Sequence, residues 1–320
     1  MLKKLLLVFL VSIFLISSLV CGALAEYPEK LITFIVGYSA GGSTDIMARL
    51  LAEGLEKVLG QKIIILNKEG AAGELAWTEL AKAKPDGYTI GTVNLPGMIV
   101  NTIIRPDTTK YSVDDFELIA NIVLDSDTCS VNSNSPFQNL NDLIEYAREH
   151  PKAVTIGNDG IGTSSYMDYQ YIDSIMNIET TKVPFGGSAE SSAALLGNHI
   201  MASGLHLGEV SQYLNVGSLR ALGVMMEERS PDYPDIPTFK EQGVDIVSAS
   251  ARGIIVPKGV SKEIIELLTN ATKKVFYSDE FQKKAKDLWP LVFMANEQYK
   301  KFFEGQQEFA KKLFELTGNK

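Results

Sequence analysis

The sequence predicts an α/β protein built from two similar units, in which helices cover both faces of a parallel sheet. Two observations lead to this fold class. Runs of β-branched and aromatic residues alternate with amphipathic helical patterns, and this alternation starts again in the middle of the 320-residue chain. Each unit also contains a glycine-rich loop between a strand and a helix. Strands that alternate with helices favour parallel pairing, because each crossover helix returns the chain to the same end of the sheet.

The first unit opens with a strand, a glycine loop and a helix. Residues 31–36 form a run of β-branched and aromatic residues that ends at Gly37, and apolar residues from 46 to 59 then repeat with helical spacing. Gly60 is placed to end this helix in a left-handed conformation. The unit continues with a strand at 62–66, a helix at 74–83, a turn at 85–87 and a strand at 88–93.

The second unit repeats this order. Its predicted elements are a helix at 141–149, a strand at 154–157, a helix at 165–176, a strand at 180–183, a helix at 189–196 and a strand at 219–225. From residue 261 to 317, the spacing of apolar residues predicts amphipathic helix throughout.

The N-terminus has the parts of an export signal. Two lysines precede an apolar run at 5–20, and Ala23-Leu24-Ala25 fits signal peptidase cleavage after Ala25. A retained membrane anchor is one alternative, since the apolar run nearly spans a bilayer. Cys21 suggests a lipid anchor as another, although Ser18-Leu19-Val20 before it is a poor lipobox.

The charge and the cysteines of the mature chain exclude further classes. Residues 1–25 contain two lysines and no acid, so their removal changes the formal net charge from −9 to −11. Nucleic-acid binding is disfavoured, because it depends on a basic surface. Cys129 would be the one cysteine left, so we expect no internal disulfide and a fold held by its core.

The first glycine loop has the composition of an anion site. It comprises Tyr38, Ser39, Ala40, Gly41, Gly42, Ser43, Thr44 and Asp45. Glycines let the backbone approach a ligand, and the unpaired N–H groups of a helix start attract an anion without any basic side chain. No lysine follows the glycines and their spacing misses the dinucleotide motif, so a carboxylate suits this loop better than a nucleotide. Alternatively, the polar residues at 43–45 are plain helix caps.

A second loop occupies the equivalent place in the second unit. Gly162, Thr163, Ser164 and Ser165 again lie just before a helix, and two such loops can hold a di-acid from both ends. Gly186 and Gly187, between a later strand and helix, either add a third set of N–H donors or form an ordinary turn.

Catalysis and metal binding are not favoured. The three histidines, His150, His199 and His206, are dispersed and Cys129 is isolated, so no metal cluster is expected. His206 is the histidine that could face a crevice, but the sequence offers it no evident partner. We expect no cofactor and no enzymatic activity; an exported hydrolase that uses a serine of 164–165 with His206 is the competing hypothesis.

Taken together, these motifs resemble the receptors of tripartite tricarboxylate transporters, also called TctC or Bug-type receptors, over essentially the whole mature chain. The segments that carry the resemblance are Tyr27-Pro28-Glu29-Lys30, Ala40-Gly41-Gly42-Ser43-Thr44-Asp45, Asn67 with Gly70-Ala71-Ala72-Gly73, Pro85-Asp86-Gly87-Tyr88-Thr89, Gly162-Thr163-Ser164-Ser165, Val183-Pro184-Phe185-Gly186-Gly187-Ser188, Pro234-Asp235-Ile236-Pro237-Thr238, Glu241-Gln242-Gly243 and Pro257-Lys258-Gly259. Their order and spacing make the resemblance specific.

The resemblance implies a two-lobed, Venus-flytrap receptor of the second periplasmic-binding class, each lobe a mostly parallel sheet flanked by helices. Lobe 1 is expected at 26–128 and 248–320, and lobe 2 at 129–247. A monomer of this kind captures a small di- or tricarboxylate outside the cytoplasm and delivers it to the membrane subunits of a tripartite transporter. A sensor that docks on a membrane kinase is the alternative. Carried over by motif, the loops at 38–45 and 162–165 hold the ligand.

Three departures from the family pattern bear on specificity. Tyr166 stands where the family usually has histidine, and it keeps a hydrogen-bond donor without positive charge. Many members have an acid or Asn where Leu205 and His206 stand, and the absence of an acid there argues against an amino acid as ligand. Arg252 stands where many relatives have an aromatic residue; it either clamps a ligand carboxylate or forms a salt bridge between the lobes.

Overall fold

The computed structural model describes residues 27–317, apart from the side chains of residues 309, 312, 313, 316 and 317. The predicted export signal, its cleavage site and Cys21 lie outside the described residues. Within the described range, no helix combines the length and the apolar composition that a bilayer crossing requires.

Two α/β lobes make up this range, and each lobe contains one sheet. Lobe 1 contains β1 (Ile32–Val36), α1 (Ser43–Leu59), β2 (Ile63–Asn67), α2 (Glu74–Ala81), β3 (Thr89–Leu95), α3 (Gly97–Ile104), β4 (Phe116–Ser126), β10 (Ala249–Pro257), α8 (Lys262–Phe276), α9 (Asp279–Ala285), β11 (Leu291–Ala295) and α10 (Asn296–Thr317). Lobe 2 contains β5 (Thr128–Asn132), α4 (Leu140–Glu149), β6 (Thr155–Asn158), α5 (Ser164–Met176), β7 (Thr181–Pro184), α6 (Ser188–Leu196), β8 (Ala202–Ser203), α7 (Leu207–Asn215) and β9 (Leu219–Val224). This confirms the predicted fold class.

Both sheets follow the same strand order. Lobe 1 has β2-β1-β3-β10-β4 with β11 added at the edge, and lobe 2 has β7-β6-β8-β5-β9. The first three strands of each series pair in parallel. The fourth strand, β10 or β5, is antiparallel to both neighbours. It runs against the other four strands of this shared order because the chain enters each sheet at this strand directly after crossing from the other lobe.

Helices cover both faces of the lobe 1 sheet, which explains why its first strand is apolar at every position except the half-buried Thr33. Phe34 packs into a core with Met47 and Leu51 of α1, whereas Ile35 packs into a separate core with Trp77 of α2. Successive strand residues point to opposite faces, so a strand covered on both sides favours apolar residues at nearly every position. Burying one such side chain contributes about 1.5–3 kcal/mol.

The end of α1 forms as its sequence predicts, but the C-terminal region differs. Gly60 has φ 70° and its N–H donates to Glu56 O, so the helix ends in the expected left-handed cap. The prediction of continuous helix over 261–317 is wrong at Leu291–Ala295, where the chain forms β11 against β4. Pro290 lacks the N–H that would continue a helix, and the apolar residues after it satisfy an edge strand instead.

The two crossings between the lobes lie side by side. Asp127 N donates to Ser248 O at 3.3 Å, and Met225 N donates to Asp127 O at 2.8 Å. These backbone bonds join the segment that leaves lobe 1 to the segment that returns to it. The glycine loops of both lobes follow the carboxyl ends of β1 and β6, so they meet across the cleft that these crossings close at its base.

Candidate functional site

The loops of the two lobes touch each other across the cleft. Ser39 N in lobe 1 donates to Gly186 O in lobe 2 at 3.4 Å, and Ser43 N donates to Ser188 Oγ at 3.2 Å. Further along, Arg105 Nη2 of lobe 1 donates to the carbonyl of Ile161 at 2.9 Å. The structure is therefore a closed form, in which the predicted loops at 38–45, 162–165 and 186–187 all border the cleft.

Asp45 organises the first loop. Its carboxylate accepts bonds from Gly41 N at 2.8 Å, Arg49 Nε at 2.9 Å and Asn67 Nδ2 at 2.9 Å. Burial opposes ionisation of this carboxyl, but the bonds from Arg49, Gly41 and Asn67 outweigh it and lower the pKa of Asp45. Asp45 thus fixes the shape of the loop and has little capacity left for a ligand.

Other polar groups of the first loop are partly used within the protein. Ser43 Oγ accepts from Trp289 Nε1 at 2.6 Å, and Thr44 Oγ1 accepts from Asn94 Nδ2 at 2.9 Å. Tyr38 is buried and its hydroxyl donates weakly to a backbone carbonyl at 3.4 Å. Ala40 and Gly41 are exposed at the rim, and Gly42 contributes backbone at the helix start. Among the described side chains, the buried Ser39 hydroxyl has no hydrogen-bond partner.

The second loop caps α5 and reaches into the centre of the cleft. Thr163 Oγ1 donates to Gly160 O at 2.8 Å and accepts from Tyr166 N, while Ser165 Oγ lies 3.3 Å from that same threonine oxygen. Ser164 Oγ instead lies 3.3 Å from His206 Nε2. Of the predicted loop serines, Ser164 is the one that contacts the central charged groups.

Two glycines of these loops are packed tightly between the lobes, and a third bonds across the cleft through its carbonyl. A Cβ on Gly162, which has φ +96°, would lie 2.5 Å from Asn101 Oδ1 of lobe 1. A Cβ on Gly187 would lie 2.7 Å from Ser39 Oγ, and Gly186 supplies the carbonyl that Ser39 bonds. The loop at 184–188, for which an ordinary turn was an alternative, is thus in direct contact with the first loop.

Arg252 and His206 belong to one buried network. Arg252 Nη1 lies 3.3 Å from Asp125 Oδ2, and Arg252 Nη2 lies 2.9 Å from Glu209 Oε1. His206 Nδ1 lies 2.8 Å from Glu209 Oε2, and its Nε2 lies 3.4 Å from Asp127 Oδ1. The salt bridge between the lobes, one of the two roles considered for Arg252, is present, and this guanidinium is 1% exposed.

The charges of this network stabilise one another. Burial would lower the pKa of His206, but the carboxylates of Glu209 and Asp127 outweigh it and raise that pKa to about 10. Burial would raise the pKa of Glu209, yet His206 and Arg252 lower it to about 2. His206 is therefore an imidazolium at neutral pH, and its Nδ1–H donates to Glu209. Arg252 Nη2 also lies 2.9 Å from this Nδ1, and the Glu209 carboxylate compensates both cations.

Ser164, His206 and Glu209 form a line that resembles a nucleophile, a base and an orienting acid. The sequence did not reveal Glu209 as the third member, although it lies three residues after His206 at the first turn of α7. A general base must accept the proton of the serine hydroxyl. The protonated imidazole cannot do so, and the geometry therefore does not support nucleophilic catalysis.

Sequence reasoning also missed two acids and an amide of the cleft. Asp127, Asp159 and Asn94 are buried, and each has a side-chain oxygen without a hydrogen-bond partner among the described residues. Burial raises the pKa of Asp159 to about 7 and that of Asp127 to about 6, with Glu209 adding to both effects and His206 opposing them. Asn94 and Asp159 could have been recognised as polar residues at or just after the carboxyl ends of apolar strands.

One group of side chains has the composition of a metal site. Asp159, His206 and Glu209 each offer an atom within 4.8 Å of the others, a proximity that their dispersion in the sequence did not reveal. His206 is protonated, however, and both Glu209 oxygens are already in ion pairs. Only Asp159 retains free ligand capacity, which is too little to hold a divalent cation.

Comparison with known proteins identifies relatives along most of the chain. The family described as tripartite tricarboxylate transporter family receptor matches residues 47–318. A UPF0065 protein in the gbd 5' region of Cupriavidus necator is 34% identical over 92% of this chain and 89% of its own length. The periplasmic binding protein BugD superimposes with a TM-score of 0.84 at 26% identity, covering 92% of this chain and 99% of BugD. Rpa4515 of R. palustris, solved with adipate, gives 0.85 at 26% identity and the same coverages.

Proposed function

The chain belongs to the tripartite tricarboxylate transporter receptor family, and we propose that it captures a small di- or tricarboxylate and delivers it to the membrane subunits of a tripartite transporter. Members of this periplasmic family bind solutes and are not enzymes. The family implies an extracytoplasmic location. Export through a cleaved N-terminal signal and a monomeric receptor are parts of the same proposal.

The observation that carries the proposal is the meeting of three helix starts at the cleft. Ser43 begins α1 in lobe 1, while Ser164 begins α5 and Ser188 begins α6 in lobe 2. The first turn of a helix presents unpaired N–H groups and a partial positive charge. Helix starts from both lobes suit a ligand with an acceptor group at each end, and the solved relative Rpa4515 holds adipate, a dicarboxylate.

We assign the ligand carboxylates to the backbone and hydroxyls of 38–45, 162–165 and 186–187. The free hydroxyl of Ser39 is the clearest side-chain donor. Arg252 and His206, in contrast, hold the lobes together through Glu209, because their positive charges are already compensated inside the protein.

A thermal-shift panel of mono-, di- and tricarboxylates on residues 26–320 tests the binding function. A ligand at about 100 times its Kd adds about 2.7 kcal/mol to the free energy of unfolding, which shifts the melting temperature by several degrees. Ser39→Ala should weaken the best ligand, whereas Ser174→Ala, which deletes the same atom at an exposed position of α5, should not. The absence of any response to carboxylates would contradict the proposal.

Delivery is tested separately by uptake in cells that carry the membrane subunits of a tripartite transporter. Uptake of the best ligand that requires the receptor supports transport. Ligand binding without uptake, together with ligand-dependent activation of a membrane kinase, would favour the sensor alternative.

A further inference from the structure

A buried carboxylate faces the cleft without a protein partner. Asp159 follows β6 and is 8% exposed, and its Oδ1 has no hydrogen-bond partner among residues 27–317. It lines a cavity of about 200 Å³ between the lobes, whose walls include Ala72 and Arg105 of lobe 1 and Gly186 of lobe 2. One water needs only about 10–15 Å³ of such space, so the cavity is large enough for a small ligand group.

The charges around Asp159 leave it uncompensated. The nearest acids and bases are Asp127, Glu209, His206 and Arg252, and the two positive groups are both engaged with Glu209. Arg105 lines the same cavity, but its Nη1 pairs with Glu74 at 3.3 Å and its Nη2 bonds Asn101 and the carbonyl of Ile161. A buried carboxylate that lacks a counter-charge is costly, and a cation that enters with the ligand removes that cost.

We propose that the ligand of this cleft carries an ammonium group in addition to its carboxylates, and that Asp159 receives this group. The chemical class is an amino acid, in particular an amino dicarboxylate. The inference rests on the proposed carboxylate-binding function and narrows it. The sequence argued against an amino acid because residues 205–206 lack an acid; Asp159 supplies that acid from the loop after β6 instead.

An ammonium group fits this position better than a metal ion. Ca²⁺ and Mg²⁺ take six or more oxygen ligands, and Zn²⁺ takes at least three protein ligands, whereas Asp159 is the one uncommitted side chain of the Asp159, His206 and Glu209 group. An ammonium needs a single carboxylate and a few neutral acceptors. Asn94 Oδ1, which is buried and unpartnered, is a further acceptor of the cleft.

Calorimetry with ligand pairs of equal carbon skeleton tests the proposal directly. Aspartate is compared with succinate, and glutamate with glutarate, so that each pair differs only by the ammonium group. A charged hydrogen bond in a buried site corresponds to a factor of about 10–100 in affinity, and the amino member of one pair should bind at least about tenfold more tightly. Equal or tighter binding of both plain dicarboxylates would overturn the assignment while leaving carboxylate binding intact.

A variant without the charge of Asp159 tests whether this side chain causes the preference for the amino ligand. Asp159→Asn keeps the size of the side chain and should reduce the amino ligand's affinity about tenfold or more, while the plain dicarboxylate binds as well or better. Asp245→Asn removes the same charge from a lobe 2 side chain that is 91% exposed, and it should alter neither affinity. Equal loss for both ligands in Asp159→Asn would contradict the proposal.

The pH dependence of the wild-type protein gives a test that needs no variant. Asp159, with a pKa of about 7, gains its charge between pH 5.5 and 8, and Asp127 titrates in the same direction nearby. Affinity for the amino ligand should therefore rise over this range, and affinity for the plain dicarboxylate should fall. Rising affinity for both, or dicarboxylate binding that requires Ca²⁺ and is lost in EDTA, would overturn the ammonium site. Failure of every carboxylate to bind would instead overturn the proposed function.

Discussion

The Nη2 atom of Arg252 lies 2.9 Å from Oε1 of Glu209, and this buried ion pair joins the two lobes of the protein. Arg252 lies on β10 of lobe 1, while Glu209 lies in the first turn of α7 in lobe 2. The same guanidinium pairs with Asp125 of β4, so a single cation balances acids from both lobes. The pair stands beside the crossing segments, where it limits how the lobes can move relative to one another.

Arg252→Met should lower the free energy of unfolding by about 3–5 kcal/mol, because it leaves buried carboxylates without their partner. Arg229→Met provides the matched control. Arg229 also pairs with an acid, Glu241, but both side chains are more than 40% exposed, so its loss should cost less than about 1 kcal/mol. Urea unfolding of the three proteins measures the difference. Equal effects of the two substitutions would show that the buried pair contributes no more than a surface pair.

Ligand titration of a folded Arg252→Ala protein decides between the two roles considered for this residue. Affinity that stays within about twofold, a change below about 0.5 kcal/mol, is expected if Arg252 acts between the lobes and does not touch the ligand. A loss of ligand affinity of a hundredfold or more at unchanged stability would instead show that Arg252 binds a ligand carboxylate.

The stabilising effect of His206 should fade at alkaline pH. Its pKa rises from 6.5 to about 10 on folding, so its contribution is fully present below pH 6.5 and is lost as the pH approaches 10. We expect the stability difference between the wild type and His206→Gln to shrink over this range in urea unfolding. Groups that do not interact with His206 cancel in the difference, whereas Asp127 and Asp159 do not, because His206 lowers the pKa of both. The comparison is therefore made from pH 8 to 10, above the pKa of about 6 for Asp127 and about 7 for Asp159 in the wild type. A difference that stays constant or grows over this range would mean that the folded protein holds a neutral imidazole.

Ser164 should be chemically inert despite its place beside His206. The imidazolium cannot take the hydroxyl proton, so hydrolysis of p-nitrophenyl acetate by the wild type and Ser164→Ala should be equal. A fluorophosphonate probe should likewise leave Ser164 unlabelled at pH 7.5. Labelling that is specific to Ser164 would revive the hydrolase hypothesis.

The sequence correctly predicts the helices and loops that depend only on residues close together in the chain. The α1 helix, its Gly60 cap and the loop before Ser164 follow from periodicity and glycine placement. The reversed strands β5 and β10 were not identified, because their direction depends on where the chain crosses between lobes. That information lies in contacts between distant segments and not in the local pattern.

The sequence predicts which loops line the cleft, but it does not predict which charged side chains of the cleft are compensated. Sequence motifs identified the donor loops and singled out Arg252 and His206. They did not reveal that Glu209 compensates both cations or that Asp159 remains uncompensated. Which charges cancel depends on distances of a few ångströms between residues that are far apart in the chain, such as Arg252 and Asp125, which are 127 positions apart.

One added methyl group at Gly187 should hinder the closure of the lobes around the ligand. This residue has extended backbone, which alanine adopts without strain, but its Cβ would lie 2.7 Å from Ser39 Oγ across the cleft. Overpacking costs about 1–3 kcal/mol, so Gly187→Ala should raise the Kd of the best ligand by about fivefold to a hundredfold. Calorimetry measures this, and small-angle scattering with ligand should give a larger radius of gyration.

The control for this substitution is Gly305→Ala, which adds the same methyl to an exposed glycine of α10 with nothing within 4 Å. It should leave the Kd unchanged and stabilise the helix by about 0.5–1 kcal/mol. Removal of the Ser39 hydroxyl should relieve the clash, so Gly187→Ala should weaken binding less in a Ser39→Ala background than in the wild type. Equal loss in both backgrounds would place the obstruction elsewhere, because the Ser39 oxygen is the nearest atom to the added methyl.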